Sequence, residues 1–217
     1  MRKISFVQFI LTVVFVVALL VSNVITGKQV QLPFNVVMPS AVFLFPLTYI
    51  LSDLFSEVYG YKWSRFTRYL GFGANVFMVF VFSVAIASPA PDYFQNQEAF
   101  EIVLGNTPRV LLASMLAYLI GDFVNDFVFK KMKEKYPDTH KGFGNRAIFS
   151  SFCGELADSF IFLPIAFIGQ MPVKTLLVMM VLQVLIKTAV EIIILPVTRM
   201  ILDYVSELES KCQEKMI

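Results

Sequence analysis

Apolar residues in this chain come in long runs separated by short polar breaks. Six runs approach or exceed the roughly 20 residues that a helix needs to cross a bilayer. They cover Ile4–Ile25, Val36–Tyr59, Phe66–Ala87, Pro108–Phe129, Arg146–Ile168 and Val173–Met200. Turn formers stand between them: Gly60, Pro89 and Pro91, the stretch Pro137–Gly144, and Gly169–Pro172. The pattern predicts an all-α membrane protein, a single six-helix transmembrane domain over residues 1–217. The first run is followed by five more, so it reads as a span rather than a signal peptide. The third connection, Ser88–Thr107, is long enough for a short surface helix.

Lys and Arg set the orientation, because positive residues are retained in the cytoplasm. One side collects Arg2, Lys3, Lys62, Arg65, Arg68, Lys130, Lys131, Lys133, Lys135, Lys141, Arg146, Arg199, Lys211 and Lys215. The other holds Lys28, Arg109 and Lys174. Both termini are therefore expected inside, in a multi-pass protein of the cell (plasma) membrane. Tyr59, Tyr61 and Trp63 fit an interfacial aromatic belt.

Composition sharpens this picture. Of 217 residues, 57% are hydrophobic and 16% charged, with a mean hydropathy of +0.71. Soluble domains carry roughly 25% charged residues, so lipid must form part of the solvent. A net charge of +2 leaves no nucleic-acid footprint. One histidine, His140, and two cysteines, Cys153 and Cys212, make no metal or disulfide framework. No cofactor motif and no catalytic spacing such as Gly-x-Ser-x-Gly occurs, which argues against an intramembrane enzyme.

Ionisable residues inside spans are costly, about 2.5–3.5 kcal/mol each at a helix centre, and are functional by default. This chain has many. Asp53 and Glu57 lie four apart in the second run, Asp122 and Asp126 four apart in the fourth, and Lys187 and Glu191 four apart in the sixth. Glu155 and Asp158 lie three apart in the fifth. Each pair shares a helix face. Two like charges on one face repel, so one acid of each pair needs a proton or a cationic partner. Lys187 is the single deep cation. Asp158 and Lys187 fall at similar depth on consecutive antiparallel spans and can meet. Asn23 and Gln183 add hydrogen-bonding groups, and Phe45, Tyr49 and Phe160 add flat faces near the polar positions. Asp53, Glu57, Asp122, Asp126 and Glu191 suit coupling or structural charge instead. Glu57 and Asp126, near the ends of their spans, could equally face headgroups or loop lysines.

Several segments together resemble the queuosine precursor transporter family, also called the vitamin uptake transporter family. They are Ser22-Asn23, then Phe45-Pro46-Leu47-Thr48-Tyr49-Ile50-Leu51-Ser52-Asp53 with Glu57-Val58-Tyr59-Gly60, and Arg65. Ala117-Tyr118, Gly154-Glu155-Leu156-Ala157-Asp158-Ser159, Ile165-Ala166-Phe167, Lys187 and Pro196 follow. The resemblance covers nearly the whole chain. It implies six helices similar to the substrate-binding subunits of energy-coupling-factor transporters. It also implies import of a deazaguanine-type base (cyano- or aminomethyl-deazaguanine, or queuine) for salvage into tRNA queuosine, without an attached ATPase. The alternative is the substrate-binding subunit of a multi-chain ATP-driven vitamin transporter. Those subunits dock through small residues four apart in the first span, and here only Ala18 and Ser22 keep that spacing.

Such a ligand agrees with the polar residues. A guanine-like edge presents adjacent N–H donors that a carboxylate accepts in parallel, its carbonyl needs a donor, and its ring suits an aromatic face. The expected binding residues are Asn23, Phe45, Tyr49, Glu155, Asp158, Gln183 and Lys187. The expected partners are a purine-like small molecule and the bilayer, with homo-oligomerisation left open.

Overall fold

The computed structural model describes residues 4–135 and 140–214. Arg2, Lys3, Lys215 and the stretch 136–139 fall outside them, as do the side chains of Lys133, Lys135, Lys141, Arg146, Lys211 and Cys212. Helix α1 spans Phe6–Ile25, and Ser5 caps it by accepting the Gln8 N–H at 2.9 Å. Strands β1 (Gln29–Leu32) and β2 (Val36–Pro39) then pair as a two-stranded hairpin. Asn35 makes its turn at φ 60°, a left-handed conformation that Asn tolerates better than most residues. A 3₁₀ turn over Ser40–Phe43 leads into α2 (Phe45–Leu54), which ends in a π turn over Phe55–Tyr59. Gly60, at φ 86°, breaks the chain before α3 (Tyr61–Ala87). The remaining helices are α4 (Gln97–Leu104), α5 (Thr107–Lys135), α6 (His140–Phe167) and α7 (Val173–Glu214).

Five segments of the described chain are helical, long and apolar enough to cross a membrane, and the second run, read as one span over Val36–Tyr59, is not among them. Its first part is extended, and the 10 residues of α2 with the 5 of its π turn give roughly 20 Å of helix against a hydrocarbon core of about 30 Å. Val36, Val37 and Pro39 explain the break: two β-branched residues favour a strand, and proline cannot donate a helical hydrogen bond. The third connection holds the short helix α4, as its length suggested.

Large apolar side chains face outwards, with Phe77 67% and Phe123 68% exposed. In water such a surface would aggregate; against lipid it is the expected exterior.

The contacts divide the chain into two compact units. One gathers α1, α2, α3, α4 and α7 from Ala189 onward. Its core is Phe15, Leu51 and Phe55, flanked by Leu11, Leu19, Tyr59 and Trp63. The Phe15 and Phe55 rings meet edge to face at 5.6 Å, the favoured quadrupole arrangement. Glu209, near the end of α7, accepts the Tyr59 hydroxyl at 2.9 Å and also the Ser5 hydroxyl, tying α7 to the ends of α1 and α2. The other unit gathers residues 29–38 and Pro108–Thr188, hence the hairpin, α5, α6 and the first part of α7.

Candidate functional site

In the second unit α5 and α6 touch backbone to backbone. A methyl group on Gly121 would sit 3.0 Å from the Gly154 carbonyl oxygen and 3.3 Å from Asp158 Cβ. One on Gly154 would sit 2.9 Å from the Gly121 carbonyl oxygen and 3.0 Å from Asn125 Cβ. Lipid tails are as apolar as leucine, so membrane helices associate through close packing of this kind. The crossing lays Asp158 directly against α5.

The other side of Asp158 meets α7. Lys187 Nζ donates to Asp158 Oδ2 at 2.8 Å, with the lysine side chain 9% and the aspartate side chain 29% exposed. One turn back along α6, Glu155 Oε2 accepts the Thr188 hydroxyl at 3.3 Å. These two contacts fix the antiparallel register of α6 and α7. The expected meeting of Asp158 and Lys187 is therefore present, and Glu155 stands beside it.

Two neighbours are also buried. Gln183 lies one turn before Lys187 on α7 and is 1% exposed; Ser159 follows Asp158 and is 0% exposed. Among the described residues neither Gln183 Oε1 nor Ser159 Oγ has a hydrogen-bond partner. Leaving such an atom unfilled costs about 1–3 kcal/mol, and native interiors rarely do so without a reason. The site thus presents two carboxylates, one of them ion-paired to Lys187, with an amide oxygen and a hydroxyl, spread over about two helical turns. Other buried positions on the same helices, Leu163, Phe167, Met179 and Val184, are apolar.

The end of α6 is held by a residue that sequence reading assigned only to the exterior charge count. Arg109 Nε donates to the Ile165 carbonyl and its terminal nitrogen to the Ile168 carbonyl, each at 2.6 Å. Helix C-termini leave carbonyls without partners, and a guanidinium fork satisfies two at once.

The first unit holds the other candidates. Asn23 on α1 donates to Asn75 Oδ1 on α3 at 2.6 Å, while Asn75 Nδ2 donates to the Gly71 carbonyl at 2.9 Å. Asn75 is 1% exposed. Asn23 therefore contributes to a polar clasp between α1 and α3. Phe45 and Tyr49 stack along α2 with ring centroids 6.3 Å apart and tilted by 31°. Asp53 and Glu57 are exposed at the protein surface and Glu191 is half-buried. In the second unit Asp122 is half-buried, Asp126 is exposed and Phe160 is 46% exposed. No group of three His, Cys, Asp or Glu side chains among the described residues could hold a metal ion.

Asn75, Ser159, Arg109 and the Gly121–Gly154 crossing escaped sequence reading as functional or positioning residues. Asn75 carried a usable signal, an amide inside an apolar helix. Ser159 lay in the family-like motif, but a serine in a membrane helix ordinarily bonds back to its own backbone.

The profile of a family described as putative vitamin uptake transporters matches residues 39–201. A protein of Bacillus subtilis (strain 168), named probable queuosine precursor transporter, is 28% identical over 180 residues, covering 81% of this chain and 76% of its own length. No solved structure matches.

Proposed function

This chain belongs to the family of putative vitamin uptake transporters, and from that premise we propose that it imports a queuosine precursor, a deazaguanine-type base. The family and the five apolar helices make it a multi-pass membrane protein. In this reading α2 and the extended residues before it form the second of six crossings, arranged as in energy-coupling-factor substrate-binding subunits. The lysine and arginine asymmetry supports cytoplasmic termini in the plasma membrane. The name of the Bacillus subtilis relative supports the substrate class.

The observation that carries the reading is the Asp158–Lys187 pair with Glu155 beside it. Lys187 pairs with Asp158, and we assign the paired N–H groups of the base to Glu155, whose carboxylate lies beside that pair. A carboxylate accepts two such donors in parallel, and charge-assisted bonds of this kind are about twice as strong as neutral ones. The test is uptake of labelled cyano-deazaguanine by the purified protein in liposomes, competed with a panel of deazapurines. Saturable uptake with no other protein present is expected, and Glu155→Gln should abolish saturable binding while melting without ligand shifts little. Uptake that requires an added ATPase would replace this reading with the multi-chain one, and no uptake of any deazapurine would remove it.

A further inference from the structure

Among the described residues Gln183 Oε1 and Ser159 Oγ are buried without partners beside the ion pair, and this pairing of an acceptor with a hydroxyl points to a definite ligand edge. Resting on the reading above, we propose that Ser159 and Gln183 bind the edge of the base that a nucleoside has lost to its sugar. They thereby select the free base over the nucleoside.

Glu155 and Ser159 are four apart on α6, so they share one face, about 6 Å apart along the helix axis. With Glu155 on the lactam N–H and the exocyclic amine, the next ring atom around the base is a pyrimidine nitrogen, an acceptor. Beyond it lies the pyrrole N–H, a donor. Ser159, one turn beyond Glu155, supplies a hydroxyl that donates to the pyrimidine nitrogen. The register set by Asp158–Lys187 and Glu155–Thr188 places Gln183 of α7 within about a turn of Ser159. Its amide oxygen accepts the pyrrole N–H. Each unfilled atom then has the complementary partner, and the order of partners along the helices follows the order of atoms around the ring. Attaching a ribose to the pyrrole nitrogen removes the donor and leaves Gln183 Oε1 buried and unfilled. A site built to hydrogen-bond an N–H rejects an analogue lacking it far more strongly than an apolar pocket rejects a change of size.

The experiment measures equilibrium binding to the purified full chain in detergent. The probes are cyano-deazaguanine, its derivative methylated at the pyrrole nitrogen, and the analogue with carbon in place of the adjacent pyrimidine nitrogen. Wild type is expected to bind the methylated base at least about tenfold more weakly than the parent, the range of one buried hydrogen bond left unmade. Gln183→Leu should weaken the parent by a similar factor and leave the methylated base unchanged, so that the preference vanishes. Ser159→Ala should erase the preference against the carbon analogue and spare the preference against the methylated base. Melting curves identify any variant that fails to fold, and Gln183→Met then replaces Gln183→Leu. Parent binding with equal affinity for the methylated base, or full discrimination retained by the Gln183 variant, overturns this inference and leaves the transport reading standing. Failure of the wild type to bind any of the three overturns both.

Discussion

Replacing Lys187 by methionine keeps the bulk of the side chain and removes its charge, leaving Asp158 without its cation. At 2.8 Å and an effective dielectric near 20, the attraction lost is about 6 kcal/mol. Desolvation of both ions offsets much of that in the intact protein, so the pair itself adds little net stability. Breaking it is a different matter. A charge left alone in an apolar interior typically costs about 3–5 kcal/mol. The Asp158 side chain is 29% exposed and Lys187 only 9%, so the aspartate is the better solvated of the two. Lys187→Met should therefore fall at the lower end of that range and Asp158→Asn at the upper end. The double variant, with neither member of the pair charged, should be more stable than the sum of the two losses predicts, by about 2–3 kcal/mol. Equilibrium unfolding in mixed micelles, followed by helical circular dichroism, measures all four corners of the cycle. Losses that add to within about 0.5 kcal/mol would refute a direct pairing and the site built on it.

Three further outcomes are expected. Single cysteines placed between Lys130 and Arg146 should resist an impermeant reagent applied outside intact cells, while those between Ser88 and Thr107 react; the opposite pattern would reverse the topology. Gly154→Ala should lower stability by about 1–3 kcal/mol, because its Cβ would lie 2.9 Å from a backbone oxygen that cannot move independently; an unchanged melting temperature would mean that α5 and α6 pack less closely. Asp53→Asn should reduce uptake while leaving folded protein in the membrane, and normal uptake with unchanged pH dependence would remove Asp53 from the mechanism.

The Asp158–Lys187 contact was legible in the sequence because two charges at matching depth on consecutive antiparallel spans have few other partners. The five long helices were legible for a similar reason, since hydropathy over about 20 residues integrates a strong signal. The extended first part of the second run was not legible, because a hydropathy window does not separate an extended apolar stretch from a helical one. Val36, Val37, Pro39 and Pro46 held the information, but only as local backbone preference. The Gly121–Gly154 crossing was invisible because a close approach depends on which faces meet, and one chain's periodicity does not report its neighbour. Asn23, expected as a ligand group, lies in a clasp with Asn75. A lone amide offers both donor and acceptor and does not reveal from sequence whether protein or substrate satisfies it.

The shortness of α2 bears on how the chain enters the membrane in the first place. The 10 residues of α2 and the 5 of its π turn give roughly 20 Å of helix, short of the length that lets a segment partition into lipid by itself. The strand before it exposes backbone groups that hydrocarbon cannot satisfy. During synthesis this stretch has no stable resting place until partners exist to shield it. In the six-crossing reading, insertion of the long apolar helices therefore precedes that of residues 36–59. Biogenesis of this protein would then be limited by a late, post-insertion step. Variants that weaken packing around α2 would be cleared by quality control before they could be recorded as inactive transporters.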